Sequence, residues 1–312
     1  MLDLVEFFGN HTFRMVFLGT TLIGLVSGAL GAFAYLRQQS LISDVVAHSA
    51  LPGALAAFLI AVVVLDVNGR NMLGLIVGAV TTGTLAALFA NAIAARTKIR
   101  IDTAMAISLT VFFGAGMILL RIISNGAYPG KGGINDYLFG NASVITTADL
   151  ATSAAVGAVA LILMLVFWKE FALRTFDPTL STMLGFRAAV VDTLMFTNIV
   201  IAIVIGVKAV GVVLMIAFVV TPPASARQWT NTLPGMVVLS SLIGGVGSGV
   251  GAYLSIMLGN IPTGPMIVLT LFSIFVVSLL ASPHRSVIAA ARRRARAREA
   301  LRQDLLAEAV DR

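Results

Sequence analysis

Apolar runs of about twenty residues alternate with short polar stretches along this chain. Runs at 13–36, 44–66, 72–95, 101–123, 148–168, 189–207, 209–227, 233–258 and 264–282 are filled mainly by Ala, Leu, Val, Ile and Gly. A bilayer-crossing helix needs about 20 mostly apolar residues. No long period-two alternation passes through these runs, so they predict helices and not the strands of a barrel. The pattern therefore predicts an all-α integral membrane protein, a polytopic bundle of 8–9 transmembrane helices. The count is open at 189–227, where Gly206, Lys208 and Gly211 divide the apolar stretch into two short crossings or one broken crossing. Residues 1–10 are acidic and the first run is too long for the apolar core of a leader, so a cleaved signal is not expected.

Composition agrees with the pattern. The 312 residues are 58% hydrophobic and 11% charged, against about 25% charged in an ordinary soluble domain. A soluble enzyme, an extracellular disulfide scaffold and a disordered chain are excluded. The absence of Cys removes thiolate ligands and thiol nucleophiles together. The net charge is +7, but eight Arg and four Asp or Glu lie from His284 onward, so +4 of it sits in a local tail. That tail, 284–312, reads as a basic, partly amphipathic helix touching anionic lipid, and no nucleic-acid binding follows from it.

Basic residues also set orientation. Arg37, the group Arg96, Lys98 and Arg100, the group Lys169, Arg174 and Arg187, and Arg227 fall on one side if nine runs alternate. That side is expected to be cytoplasmic, with the C-terminus inside a plasma membrane. Two connections are long. One, 124–147, lies outside and is Gly-rich before Tyr137-Leu138-Phe139-Gly140. The other, 169–188, lies inside; Asp177 followed by Pro178 signals a helix start, and Gly185 a stop, so a short amphipathic helix is expected over 178–184.

An ionisable side chain within a crossing costs about 3 kcal/mol on insertion scales, so it is a functional candidate by default. The sharpest case is Asp44-Val-Val-Ala-His48, followed by Pro52-Gly53. Four residues apart, Asp44 and His48 share one helix face. Counted from Arg37 at about 1.5 Å per residue, they lie roughly 10 and 16 Å deep. A carboxylate and an imidazole on one face are two ligands for a divalent first-row metal. Pro52-Gly53 is expected to break the helix beyond them and free carbonyls.

Other polar residues carry less. His11 and His284 are interfacial, Asp102 and Asp192 open their helices as caps, and Asp66 and Asp149 belong to loops or the interface. The run Gly126–Lys131 is one residue short of a phosphate loop and has Gly132 in place of the required hydroxyl, so no nucleotide site is expected. Gly244/Ser248/Ala252 and Gly247/Gly251/Ser255 are rows of small residues that let helices approach closely. Asn10-His-Thr and Asn141-Ala-Ser are formal glycosylation sequons too short to weigh.

Four stretches in order resemble the manganese/zinc/iron permeases of the ATP-binding-cassette importers. They are the run from Leu36 through Asp44 and His48 to Pro52-Gly53; Leu138-Phe139-Gly140; Phe176-Asp177-Pro178 through Leu184-Gly185; and Ala209 through Ala217 to Pro222 and Arg227. The resemblance covers about 13–283. Ser43 stands where Gly is usual, and Thr221-Pro222-Pro223 carries an extra Pro. It implies a permease domain over 1–283 of the type II importer kind, with Asp44 and His48 at the transport site. It implies a segment at about 170–187, including Phe176, Asp177, Pro178, Leu184 and Gly185, that couples to the ATPase. Implied partners are a second permease subunit, two cytoplasmic ATPases and an extracellular metal-binding lipoprotein. The chain is then no enzyme itself and holds no permanent cofactor; the transported ion is Mn²⁺, favoured by the outer loop, or Zn²⁺ or Fe²⁺. An ion-gradient-driven secondary transporter is the alternative, but its relay of further acids is missing from the runs. An intramembrane metalloprotease lacks its ligand set, since His48 alone among the three histidines lies within a run.

Overall fold

A computed structural model describes residues 7, 9–37, 40–67, 69, 71–131, 145–259 and 261–282. The Leu138-Phe139-Gly140 stretch, the Asn141 sequon, His284 and the basic tail lie outside the described residues. Among the described residues eleven α-helices occur in order: α1 (His11–Leu36), α2 (Ser40–Leu59), α3 (Met72–Arg96), α4 (Ile101–Asn125), α5 (Thr147–Val166), α6 (Trp168–Phe176), α7 (Pro178–Met183), α8 (Ala188–Val210), α9 (Val212–Trp229), α10 (Leu233–Leu258) and α11 (Thr263–Ala281). No strand occurs among the described residues. Helices satisfy their own backbone groups, which hydrocarbon cannot do.

Among the described residues, eight helices are long and apolar enough to span a bilayer. The ninth candidate, α9, is an 18-residue helix with Pro222 and Pro223 inside it and Arg227 in its last turn. Its direction follows from its neighbours. Gly24 and Gly28 of α1 meet Gly244 and Ser240 of α10, so these two helices are antiparallel and Leu36 lies at the same end as Leu233. Thr230 and the two residues after it lead directly into α10, so α9 also finishes at that end, which also holds Arg37. Helix α8 starts there, since Asp192 bonds Arg37, and α9 returns there. The two are therefore separate crossings. The chain turns between them at Gly211, whose φ of 88° a side chain rarely adopts.

The small-residue rows of α10 work on two faces. Gly244 would drive an added Cβ into the Gly24 carbonyl, and Gly251 would drive one to within 2.5 Å of the Ile267 backbone of α11. Ser240 and Ser241 donate to the carbonyls of Gly28 and Leu25, adding cross-helix hydrogen bonds. Helix α1 is the most buried crossing and also touches α9 through Gly31 and Val219. Helices α4 and α11 are the least buried, and α4 turns Val111, Met117, Ile118 and Ile122 outward. Such a face suits lipid or a second subunit.

Two expectations fail here. Asp102 does not cap α4: Arg100 holds the cap position without a side-chain bond, and Asp102 sits exposed in the first turn, where its charge suits the helix dipole. The chain is not broken at Pro52-Gly53. Helix α2 runs through Pro52 to Leu59 and continues as a π turn over Ile60–Val64. Proline removes the N–H that the His48 carbonyl would accept from. Thr82 of α3 donates to the next carbonyl, Ser49, at 2.7 Å. Gly53 serves packing: its backbone lies against that of Gly78 on α3.

Gly244→Val is expected to destabilise the bundle by about 1–3 kcal/mol, the usual cost of overpacking. Gly74→Ala, where an added Cβ meets nothing within 4 Å, is expected to be neutral. Thermal unfolding of the two purified variants beside the native chain checks the difference.

Candidate functional site

Helix α2 begins at Ser40, three residues after Arg37, which caps α1, so Asp44 and His48 lie about 6 and 12 Å along it at 1.5 Å per residue. This is shallower than a count from Arg37 implies. The pair does meet: His48 Nε2 is 3.3 Å from Asp44 Oδ1. Two donors at that separation, each about 2.1 Å from a cation, subtend an angle near 100°. The pair can therefore chelate one ion without a change of helix geometry. The Asp44 side chain is 35% exposed and that of His48 18%, so the pair is open on one side.

The imidazole is held by packing. Phe113 of α4 stands edge-on to it, with ring centroids 4.7 Å apart at 80°. Its Nδ1 is buried and has no hydrogen-bond partner among the described residues. No group of three or more His, Cys, Asp and Glu side chains gathers anywhere among the described residues. Among the described residues a single chain thus presents two donors, fewer than the four a divalent transition metal takes at minimum in most sites. Pro52 lies one turn beyond, and its ring packs against Gly116 of α4.

The second group of expected site residues is outside the crossings. Asp177 accepts from Leu180 N at 2.8 Å and caps α7, with Pro178 at its first position. Leu184 closes the helix and Gly185 stops it at a φ of 87°. The expected helix is therefore present, one residue shorter. It carries an unusual surface for a segment outside the crossings: Phe176, Leu180, Met183, Leu184 and Phe186 are all exposed, Met183 by 79%.

Local reasoning misread Asp192. It does not cap α8, where Arg187 holds the cap position. Its carboxylate instead joins three elements. Oδ1 accepts from Arg37 Nη1 at 2.7 Å and from Arg174 Nε at 3.1 Å, while Oδ2 accepts from Arg174 Nη2 at 2.8 Å. The hydrogen bond and charge of Asp192 raise the affinity of the Arg174 guanidinium for its proton, against the opposing effect of burial. The partners are 155 and 18 residues away in sequence, so no local spacing signals them. The one signal in the sequence is that all three charges fall near run ends on the same, basic side. Asp149, by contrast, is the interface residue expected, closing a capping box with Thr146 at the start of α5.

The family described as the ABC 3 transport family matches residues 10–282. The zinc transport system membrane protein TroC of Treponema pallidum (strain Nichols) is 38% identical over 285 residues, covering 91% of this chain and 94% of that protein. The manganese transport system membrane protein MntC of Bacillus subtilis (strain 168) is 39% identical over 296 residues, covering 94% of this chain and 67% of that protein. Among solved structures, PsaBC from Streptococcus pneumoniae in complex with Fab aligns at a TM-score of 0.78 and 28% identity, over 91% of this chain and 98% of that one.

Asp177→Ala removes the cap of α7, a change worth about 1 kcal/mol. Hydrogen exchange at the Leu180 amide is expected to speed up about fivefold, with the amides of α8 unchanged. Mass-spectrometric exchange on the two proteins checks it.

Proposed function

Because the chain belongs to the ABC 3 transport family, we propose that it is the membrane-spanning permease subunit of an ATP-driven importer of divalent transition-metal ions. The observation that carries this reading is the Asp44–His48 pair, a carboxylate and an imidazole 3.3 Å apart on a membrane-crossing helix. Such side chains are costly there unless they serve a purpose. One oxygen and one nitrogen donor, with no thiolate in the sequence, suit Mn²⁺, Fe²⁺ and Zn²⁺. Manganese is favoured by the resemblance of the Gly-rich outer loop; the carboxylate–imidazole pair does not choose among the three. The relatives' names include both manganese and zinc transport.

A second permease subunit, a copy of this chain or a paralogue, completes the site. Paired across the dimer, two Asp and two His supply two oxygens and two nitrogens. The ion is delivered by an extracellular metal-binding lipoprotein, and ATP is hydrolysed by two cytoplasmic ATPases. The exposed apolar residues of α7 and its flanks dock in a groove of one ATPase, on the cytoplasmic side. Nucleotide-driven closure then moves α7, and the crossings rearrange around the ion.

In cells that make the partner subunits, Asp44→Ala and His48→Ala are each expected to lower metal accumulation at least tenfold, with the protein still inserted; native accumulation in both variants rejects the site. Replacing 177–185 by a Gly/Ser linker is expected to abolish metal-stimulated ATP hydrolysis in the assembled complex. Unchanged hydrolysis rejects the docking role of α7. Elemental analysis of the native complex after mixed-metal uptake identifies the ion.

A further inference from the structure

Three charged side chains at the Arg37 end of the bundle lie away from the metal pair, and none is needed to make α7 a docking surface. We infer that Asp192 is a positioning residue, a clamp through which α7 cannot shift without carrying α1 and α8. The inference rests on the proposed reading of α7 as the ATPase-facing element.

The geometry supports a mechanical link. Arg174 is the third-last residue of α6, three residues before the cap of α7, and its Nη1 also lies 3.4 Å from the Pro178 carbonyl within α7. Its fork grips both oxygens of Asp192, and a two-point grip fixes orientation as well as distance. Arg37 takes the same carboxylate from the other side. The side chains of Arg37, Arg174 and Asp192 are only 16%, 15% and 21% exposed, so water does little to weaken the attraction. Beyond the carboxylate, Arg37 also stacks over Phe196 of α8 at 5.3 Å. Phe33 of α1 meets Trp168 and Phe171 of α6 at 5.7 and 5.8 Å, a second, apolar contact between the same elements.

The path then leads to the ion. Arg37 is the last described residue before α2, and Asp44 and His48 follow on that helix. A displacement of α7 passes through Arg174 and Asp192 to Arg37, three residues before the helix that carries the two ligands. The cluster is asymmetric in charge. Two guanidinium groups share one carboxylate. Without its charge the clamp becomes a repulsion between Arg37 and Arg174.

The test uses the complete complex in lipid vesicles with Mn²⁺ supplied outside. Asp192→Asn keeps the size of the side chain and loses its charge. It is expected to leave the ATPases bound and hydrolysis within twofold of native, while ions imported per ATP fall at least tenfold. Arg174→Lys keeps the charge but not the fork and is expected to fall about threefold. Since the chain has no Cys, spin labels at Thr182→Cys and Lys98→Cys report the position of α7 directly. One narrow distance is expected in the native complex, a broad distribution with Asp192→Asn. Native import per ATP together with an unchanged distribution overturns the clamp. If Asp192→Asn does not assemble, the same two measurements on Arg174→Lys decide, and native values there overturn it. Failure of the underlying reading looks different: the native complex shows no metal-stimulated hydrolysis. The distance distribution still judges the clamp in that case.

Discussion

Helix α1 lies backbone against backbone with α10 at Gly24 and Gly244, and the rest of the bundle is arranged about that approach. In hydrocarbon, apolar side chains gain nothing by leaving lipid for protein, so helices are held by close van der Waals contact and by hydrogen bonds between them. Removing two Cβ atoms brings the backbones near enough for Ser240 and Ser241 to reach carbonyls of α1. Helix α9 joins through Gly31 and Val219. With α1 fixed, its end at Arg37 is fixed, and with it the start of the helix that carries Asp44 and His48.

Charge obeys the complementary constraint. Inside an apolar medium an ion must have a partner or a use. The arginines at 37 and 174 have Asp192 as partner. Among the described residues Asp44 has the imidazole one turn away as its partner, and the pair is left partly open. That contrast separates the two acids more clearly than depth does. One is saturated by cations of its own chain, and the other keeps oxygen lone pairs without a cationic partner among the described residues.

Much of this was legible along the chain because hydropathy and helix signals are local. The crossings fall within about four residues of the apolar runs, since twenty apolar residues in lipid have only one way to satisfy their backbone. The Asp44–His48 contact follows from a spacing of four, and α7 follows from Asp177-Pro178 and Gly185. What stayed hidden is non-local. Pro52 reads as a breaker in isolation, yet α2 continues because α3 packs against Gly53 and Thr82 takes up a neighbouring carbonyl. Asp192 reads as a helix opener, since its arginines come from α6 and the end of α1. The two faces of α10 were visible as rows, but their partners, α1 and α11, were not.

The apolar surface of α7 has a consequence for the life of the chain before it meets anything else. Phe176, Met183 and Leu184 stand exposed outside the crossings, on and beside a helix of six residues that is held in place by its cap and by α6. Such a spot is sticky, and the folded chain alone leaves it exposed. An unassembled copy would offer it to chaperones and proteases. The abundance of this protein in a membrane would then follow the supply of whatever covers α7, and surplus copies would be cleared.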